Sequence, residues 1–311
     1  MFPRIAFRTI CAEIASRGVA GLVLALFAAA LLQNGCLLMR QRGQYFDAGG
    51  VRIHYTDEGE GMPVVLVHGF AVNADLNWRD PGIIDALTPH YRVIAFDNRG
   101  HGLSDNPRGP GAYGIQMAED VVRLMNHLDV ERAHVVGYSM GGFVTLKLLE
   151  AHPERLITAA PCGAGWERAE GSSMQELEGV VGALEERGSY APLLRKLAPE
   201  DNPVPWWKVL AVDLFFRLTN DEEVMASVLD SLPELEVSAE TLENCRVPVL
   251  SIVGGADRFA EGAERLHEVL PGHELVVVPG ASHFSTLYSP LFEQSLLDFL
   301  RTTSASKVLP K

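Results

Sequence analysis

Three residues of this 311-residue chain have the types and order that nucleophilic chemistry requires. Ser139 sits between two glycines in Gly137-Tyr138-Ser139-Met140-Gly141-Gly142. Asp257 follows an apolar stretch through Gly254-Gly255-Ala256, and His283 follows another through Pro279-Gly280-Ala281-Ser282. A serine hydroxyl is a weak nucleophile until a base takes its proton, and that base needs a third group to orient it. Serine, then acid, then histidine, with the last two just past strand ends, is the chain order of a relay built on a strand–turn–helix elbow. Glu167 is the rival acid, further from the end of its strand. The oxyanion donors expected are the amide of Met140 and, from His68-Gly69-Phe70, the amide of Phe70. His68 itself ends an apolar run and precedes a glycine, so it reads as a loop-shaping residue.

The elements around these residues follow from hydrophobic periodicity. A short apolar run centred on Val135-Val136 stops at Gly137 and Phe143–Leu149 repeats at helical spacing, so Ser139 falls at the apex of a sharp turn. Side chains at Gly137 or Gly141 would clash with the neighbouring strand and helix. Tyr45 to Thr56 alternates around Gly49-Gly50, the pattern of a hairpin. Pro63–His68, Tyr91–Phe96, Leu156–Ala160, Val247–Val253 and Leu275–Val278 are short strands, and a helix is expected from Gln116 to Leu128. Strands alternating with helices predict an α/β architecture with a doubly wound, mostly parallel sheet. Between Gly163 and Asn244 strands cease, and helical patterns appear in Met174–Leu184 and Trp207–Leu218. That insertion predicts a helical cap over the carboxyl edge of the sheet, where open α/β sheets keep their sites. The expected division is a leader at 1–43, core at 44–162, cap at 163–244, core again at 245–301, and a tail at 302–311.

Net charge is −14, and residues 1–45 hold five arginines against Glu13 alone, leaving 21 basic and 39 acidic residues beyond. A surface so acidic argues against nucleic acid as a partner. None of the four cysteines (Cys11, Cys36, Cys162, Cys245) forms a C-x-x-C pair or stands at zinc-ligand spacing from a histidine, so no metal is expected. Cys162 and Cys245 read as buried thiols. Val19 to Leu32 is fourteen residues without a polar side chain, and the apolar character resumes through Met39. Such a leader fits a cleaved export signal, a membrane anchor, or a lipoprotein site at Gly35-Cys36. The catalytic part is therefore expected to be exported or membrane-tethered.

From Gln44 to about Leu300 the chain resembles the α/β-hydrolase family. The likeness rests on His68-Gly69-Phe70, Asp97-Asn98-Arg99-Gly100-His101-Gly102-Leu103-Ser104, the elbow at Ser139, the Gly254–Asp257 turn and Gly280–His283. It implies a capped serine esterase, a C–C-bond hydrolase or a cofactor-free perhydrolase, working through an acyl-enzyme on a small-molecule acyl substrate without metal or cofactor. A non-catalytic tethered binder of the same fold is the reading from another class. The resemblance makes Asp97 and Arg99 braces of a loop near the nucleophile. Aromatic residues expected either to line the pocket or to pack cap against core are Tyr138, Trp78, Trp166, Trp206, Trp207 and Phe259.

Overall fold

The computed structural model describes residues 43–166, 178–199 and 203–308. The leader expected at 1–43, with Cys11 and Cys36, lies outside them apart from residue 43, and so does Glu167. Strands β1 (Gln44–Asp47) and β2 (Arg52–Glu58) form the antiparallel hairpin, with Gly49 and Gly50 at φ +74° and +88°. β2 pairs antiparallel with β4 (Arg92–Phe96), and from there the sheet is parallel. β3 (Pro63–Val67) lies between β4 and β5 (Ala133–Tyr138), and β6 (Leu156–Cys162) flanks β5. β7 (Leu250–Gly254) and β8 (Glu274–Val278) extend the sheet beyond β6 through a bridge between Ala159 and Val249. β7 starts later than the sequence pattern suggests. Pro248 has no N–H to give a ladder, and regular pairing with β8 begins only at Leu250, after the Ala159–Val249 bridge.

Alternate residues of each central strand feed two cores. Val65, Val67, Ile94 and Val135 point into one, Val64, Leu66, Val93 and Val136 into the other, all essentially without exposure. Burial of each such side chain contributes roughly 1.5–3 kcal/mol, which is why register is so firmly fixed here. Helices α1 (Ile83–Leu87), α2 (Ile115–His127), α3 (Met140–Ala151), α9 (Ala260–Val269) and α10 (Pro290–Val308) cover the sheet.

Between β6 and β7 the described residues form helices and no strand: α4 (Glu178–Arg187), α5 (Ala191–Lys196), α6 (Trp206–Thr219), α7 (Glu222–Asp230) and α8 (Ala239–Asn244). α4 runs past the expected Leu184 because Glu185, Glu186 and Arg187 are good helix formers; Gly188, at φ +61°, ends it. Asp221 caps α7 and Ser238 caps α8, each accepting a first-turn amide. The insertion meets the loops at the carboxyl ends of the parallel strands. Asn220 donates to the Ala71 carbonyl, Tyr190 packs on Phe70, and the Trp166 amide donates to Gly262 O. No helix among the described residues is long and apolar enough to cross a membrane.

Candidate active site

Ser139 is delivered by β5 and α3 and holds φ +56°, ψ −118°, a region that costs a non-glycine residue about 1–3 kcal/mol. Two glycines allow it. A Cβ on Gly137 would stand 1.9 Å from Gly141 O, and one on Gly141 would stand 2.1 Å from Val67 O. The Ser139 amide is tied to Cys162 O at 2.9 Å, which pins the turn to the adjoining strand.

The loops after β7 and β8 bring the other two residues to it. His283 Nε2 lies 3.0 Å from Ser139 Oγ, and its Nδ1 lies 2.8 Å from Asp257 Oδ2. Both side chains are buried, and the second carboxylate oxygen of Asp257 accepts the Phe259 amide at 3.1 Å. An ionised carboxylate only accepts, so Nδ1 carries the proton and Nε2 turns its lone pair toward the serine. The structure thus joins the three residues that the sequence keeps 118 and 26 positions apart.

Tyr138 takes a different place from the substrate contact expected of it. Its ring lies tilted 5.3 Å from the His283 ring and its hydroxyl donates to the His283 carbonyl, so it supports the histidine from behind. Burial holds its phenol well above the usual range, which keeps it a neutral donor. Phe259 lies 5.4 Å from the His283 ring and 5.6 Å from Phe143. Trp78 has no exposed surface for a ligand; the wide helical turn Asp75–Arg79 directs it into the core with Val64, Leu66, Ile84 and Leu87. Trp166 donates its indole N–H to Val237 O within the insertion, and its backbone amide reaches the core at Gly262 O, 3.0 Å. Trp206 is 69% exposed on α6, and Trp207 carries the Lys208 ammonium over its ring at 5.4 Å.

The Met140 amide opens α3, and the Phe70 amide lies in the loop after β3. Among the described residues neither amide donates to another group. The loop is held from below. His68 Nδ1–H donates to Gly69 O at 2.7 Å, and its Nε2 accepts the Asn98 amide at 2.9 Å. Burial lowers the His68 pKa and pushes that of its neighbour His101 down to about 3, so both rings are neutral at pH 7. Asn77 Oδ1 accepts the Gly69 amide at 3.0 Å. Asp97 accepts the Ala74 and Leu103 amides and faces His54 Nδ1 at 3.1 Å; burial raises its pKa, but these bonds outweigh that and leave it below the usual carboxylate range. Arg99 forms a buried bidentate pair with Asp120, both contacts at 2.7 Å. Asn77, Phe143, Tyr190 and Asn220 carry no local motif that would have singled them out.

Among the described residues no group of three or more His, Cys, Asp or Glu side chains is placed to hold a metal ion. Cys162 is buried, its thiol pushed up to about 12, and Cys245 is buried as well.

A sheet wound in this order, with serine at a strained elbow and acid and histidine on later loops, defines an α/β hydrolase. A family model for the alpha/beta hydrolase fold matches residues 62–184. A relative in Synechocystis sp. named as a non-heme chloroperoxidase is 30% identical over 278 residues, covering 81% of this chain and 95% of that one. The acetyltransferase component of an acetoin cleaving system in Cupriavidus necator is 32% identical over 252 residues; the match covers 78% of this chain but 65% of that longer protein. Among solved structures, the enol-lactonase from Burkholderia xenovorans superposes with a TM-score of 0.70 at 26% identity, over 83% of this chain and all of that one. The chain belongs to the α/β-hydrolase family and is an enzyme of that family.

Proposed function

We propose that the chain is a serine hydrolase that cleaves a carboxylic ester or a closely related acyl bond. One observation carries this reading: the continuous relay from Asp257 through His283 to Ser139, with contacts of 2.8 and 3.0 Å. Ser139 Oγ attacks the acyl carbon as His283 Nε2 takes its proton, and Asp257 stabilises the imidazolium. The carbonyl oxygen becomes an anion facing the Met140 and Phe70 amides, where the loss of one donor typically costs about 10²–10³ in turnover. His283 then protonates the leaving group, and a water, activated by the same base, releases the acid. The likeness to an enol-lactonase supports an ester-type bond, since a lactone is a cyclic ester. The insertion serves as the cap over this chemistry, and Phe259 stands on the core side beside His283 and Phe143.

Labelling with a serine-directed fluorophosphonate tests the proposal. Ser139 is the residue modified, and Ser139→Ala abolishes both labelling and ester turnover. A chain that stays unmodified while binding small acyl compounds would make it a binder instead. A panel of ester, lactone, amide and diketone substrates then separates ester from C–C-bond cleavage. For residues 1–43 we infer an export or tethering role, supported by the fourteen-residue apolar run from Val19. Intact mass of the mature protein distinguishes a cleaved leader, a lipidated Cys36 and a retained anchor; a full-length protein free of membranes in fractionated cells would refute all three.

A further inference from the structure

The loop that carries the Phe70 amide is strained on its far side. Ala71 has φ +58°, a left-handed conformation that costs an alanine about 1–2 kcal/mol. Residues before Phe70 are clamped from the core by Asn77 and His68. The clamp after Phe70 comes from elsewhere. Asn220, at the end of α6 and 149 residues away, donates its Nδ2 to the Ala71 carbonyl at 3.2 Å. The same amide group donates to Phe216 O at 3.0 Å and Thr219 Oγ1 at 3.2 Å. With acceptors all around it, an amide nitrogen is required there, and a carboxylate would face two carbonyl oxygens. A second contact runs parallel to this one: Phe216 packs on Tyr190 at 5.3 Å, and Tyr190 on Phe70 at 6.3 Å.

We propose that Asn220 is a positioning residue for the oxyanion hole, through which the helical insertion fixes the Phe70 N–H. The proposal rests on the serine-hydrolase reading above. Without this hold, Ala71 relaxes toward ordinary φ and the Phe70–Ala71 peptide turns; the shift passes through Phe70 to the Gly69–Phe70 peptide and carries the Phe70 N–H off the position of the developing anion. Oxyanion donors act at 2.7–3.1 Å, so a small rotation loses most of the benefit. The ground-state carbonyl depends on this donor far less, and the effect therefore falls on kcat. The simpler alternative is that Asn220 only closes the last turn of α6.

The test compares Asn220→Ala, Asn220→Asp and Asn220→Gln in the full chain, with the melting temperature of each measured and kcat taken per folded protein. With an ester substrate, Asn220→Ala lowers kcat by roughly 10-fold with KM within about twofold, part of the 10²–10³ that a whole donor supplies. Asn220→Asp, isosteric but anionic, loses more, and Asn220→Gln, which keeps the donor on a longer arm, recovers part of the loss. Inhibition by a trifluoromethyl ketone, which forms a tetrahedral anion on Ser139, weakens by the same factor as kcat. A cap-only role predicts a lower melting temperature with kcat and ketone affinity unchanged, and that result would overturn the proposal. So would a rise in KM alone. Failure of the wild type to react with fluorophosphonate would instead sink the hydrolase reading itself, so the two failures are distinct.

Discussion

Asp257→Asn is the sharpest perturbation of the relay, because the surroundings of the carboxylate dictate what the amide does. Asp257 uses both oxygens as acceptors, Oδ2 for His283 Nδ1–H at 2.8 Å and Oδ1 for the Phe259 amide at 3.1 Å. An asparagine offers one acceptor and one donor group. The Phe259 N–H is fixed in the backbone and cannot become an acceptor, so the asparagine oxygen turns to it and the NH2 faces His283. Nδ1 must then accept, which moves the imidazole proton to Nε2, aimed at Ser139 Oγ where a lone pair is needed. The flipped arrangement restores the correct tautomer but sets two donors against each other in a buried site. That costs about 1–3 kcal/mol, or roughly a 5- to 150-fold bias toward the inactive form. Loss of the negative charge beside the imidazolium adds to this, and the expected fall in kcat is about 10⁴. Steady-state turnover of a chromogenic ester measures it, with KM and melting temperature near wild type. The fluorophosphonate labelling rate falls in parallel. A variant that keeps more than a tenth of wild-type kcat would show that Asp257 does not set the tautomer, and attention would pass to Glu167.

Three further outcomes follow from the same contacts. Tyr138→Phe removes the hydroxyl that the His283 carbonyl accepts, leaving a buried acceptor unpaired at a cost of about 1–3 kcal/mol; chemical denaturation reads that loss, and kcat falls with it because His283 loses its rear support. Arg99→Met leaves Asp120 with Arg123 as its remaining cation, so stability falls by about 3 kcal/mol in urea while kcat of the folded fraction is retained. His273 is buried beside His267 and pushed down to about 4, chiefly by burial, so the folded state resists its protonation. Its contribution is fully present above an unfolded pKa near 6.5 and is lost as pH falls toward 4, on the order of 3 kcal/mol in all. His273→Leu flattens the stability–pH curve across that window, and an unchanged curve would refute the assignment.

How far the site can be read from sequence depends on how local each contact is. Ser139 is legible because the reasons for it lie within four residues: the strand, two glycines whose side chains would overlap backbone, and the helix that follows. Asp257 and His283 are legible because each stands one turn beyond an apolar strand, and strands of a parallel sheet deliver their carboxyl ends to one edge. Tyr138 occupies the variable position of the same motif, yet what it does is decided by the carbonyl of a residue 145 positions later. No local pattern encodes that. Trp78 misleads for a related reason. An aromatic residue shortly after the His68-Gly69-Phe70 loop has the composition of a pocket wall, but one wide helical turn rotates it into the core. Asn77 and Asn220 are single polar residues without periodicity, and only the fold shows that both grip one loop.

The distribution of backbone strain links that loop to the chemistry. Among the described residues three non-glycine positions have positive φ, and two of them, Ala71 and Ser139, flank the space where an oxyanion would form. Strain of this kind persists only where surrounding contacts over-determine it. Around Ser139 those contacts belong to the sheet: Cys162 O, the Gly137 and Gly141 approaches, and β3 beside them. Around Ala71 they are divided, with Asn77 and His68 on the core side and Asn220 on the insertion. The Ser139 turn is thus held by the central sheet, whereas the loop that carries Phe70 is held partly by the insertion. On the proposed reading Phe70 is an oxyanion donor, and a change in the insertion leaves that donor in place provided that the Asn220 hydrogen bond to the loop is kept. Donors held in advance need no reorganisation as charge develops, and their contribution to the rate depends on that rigidity.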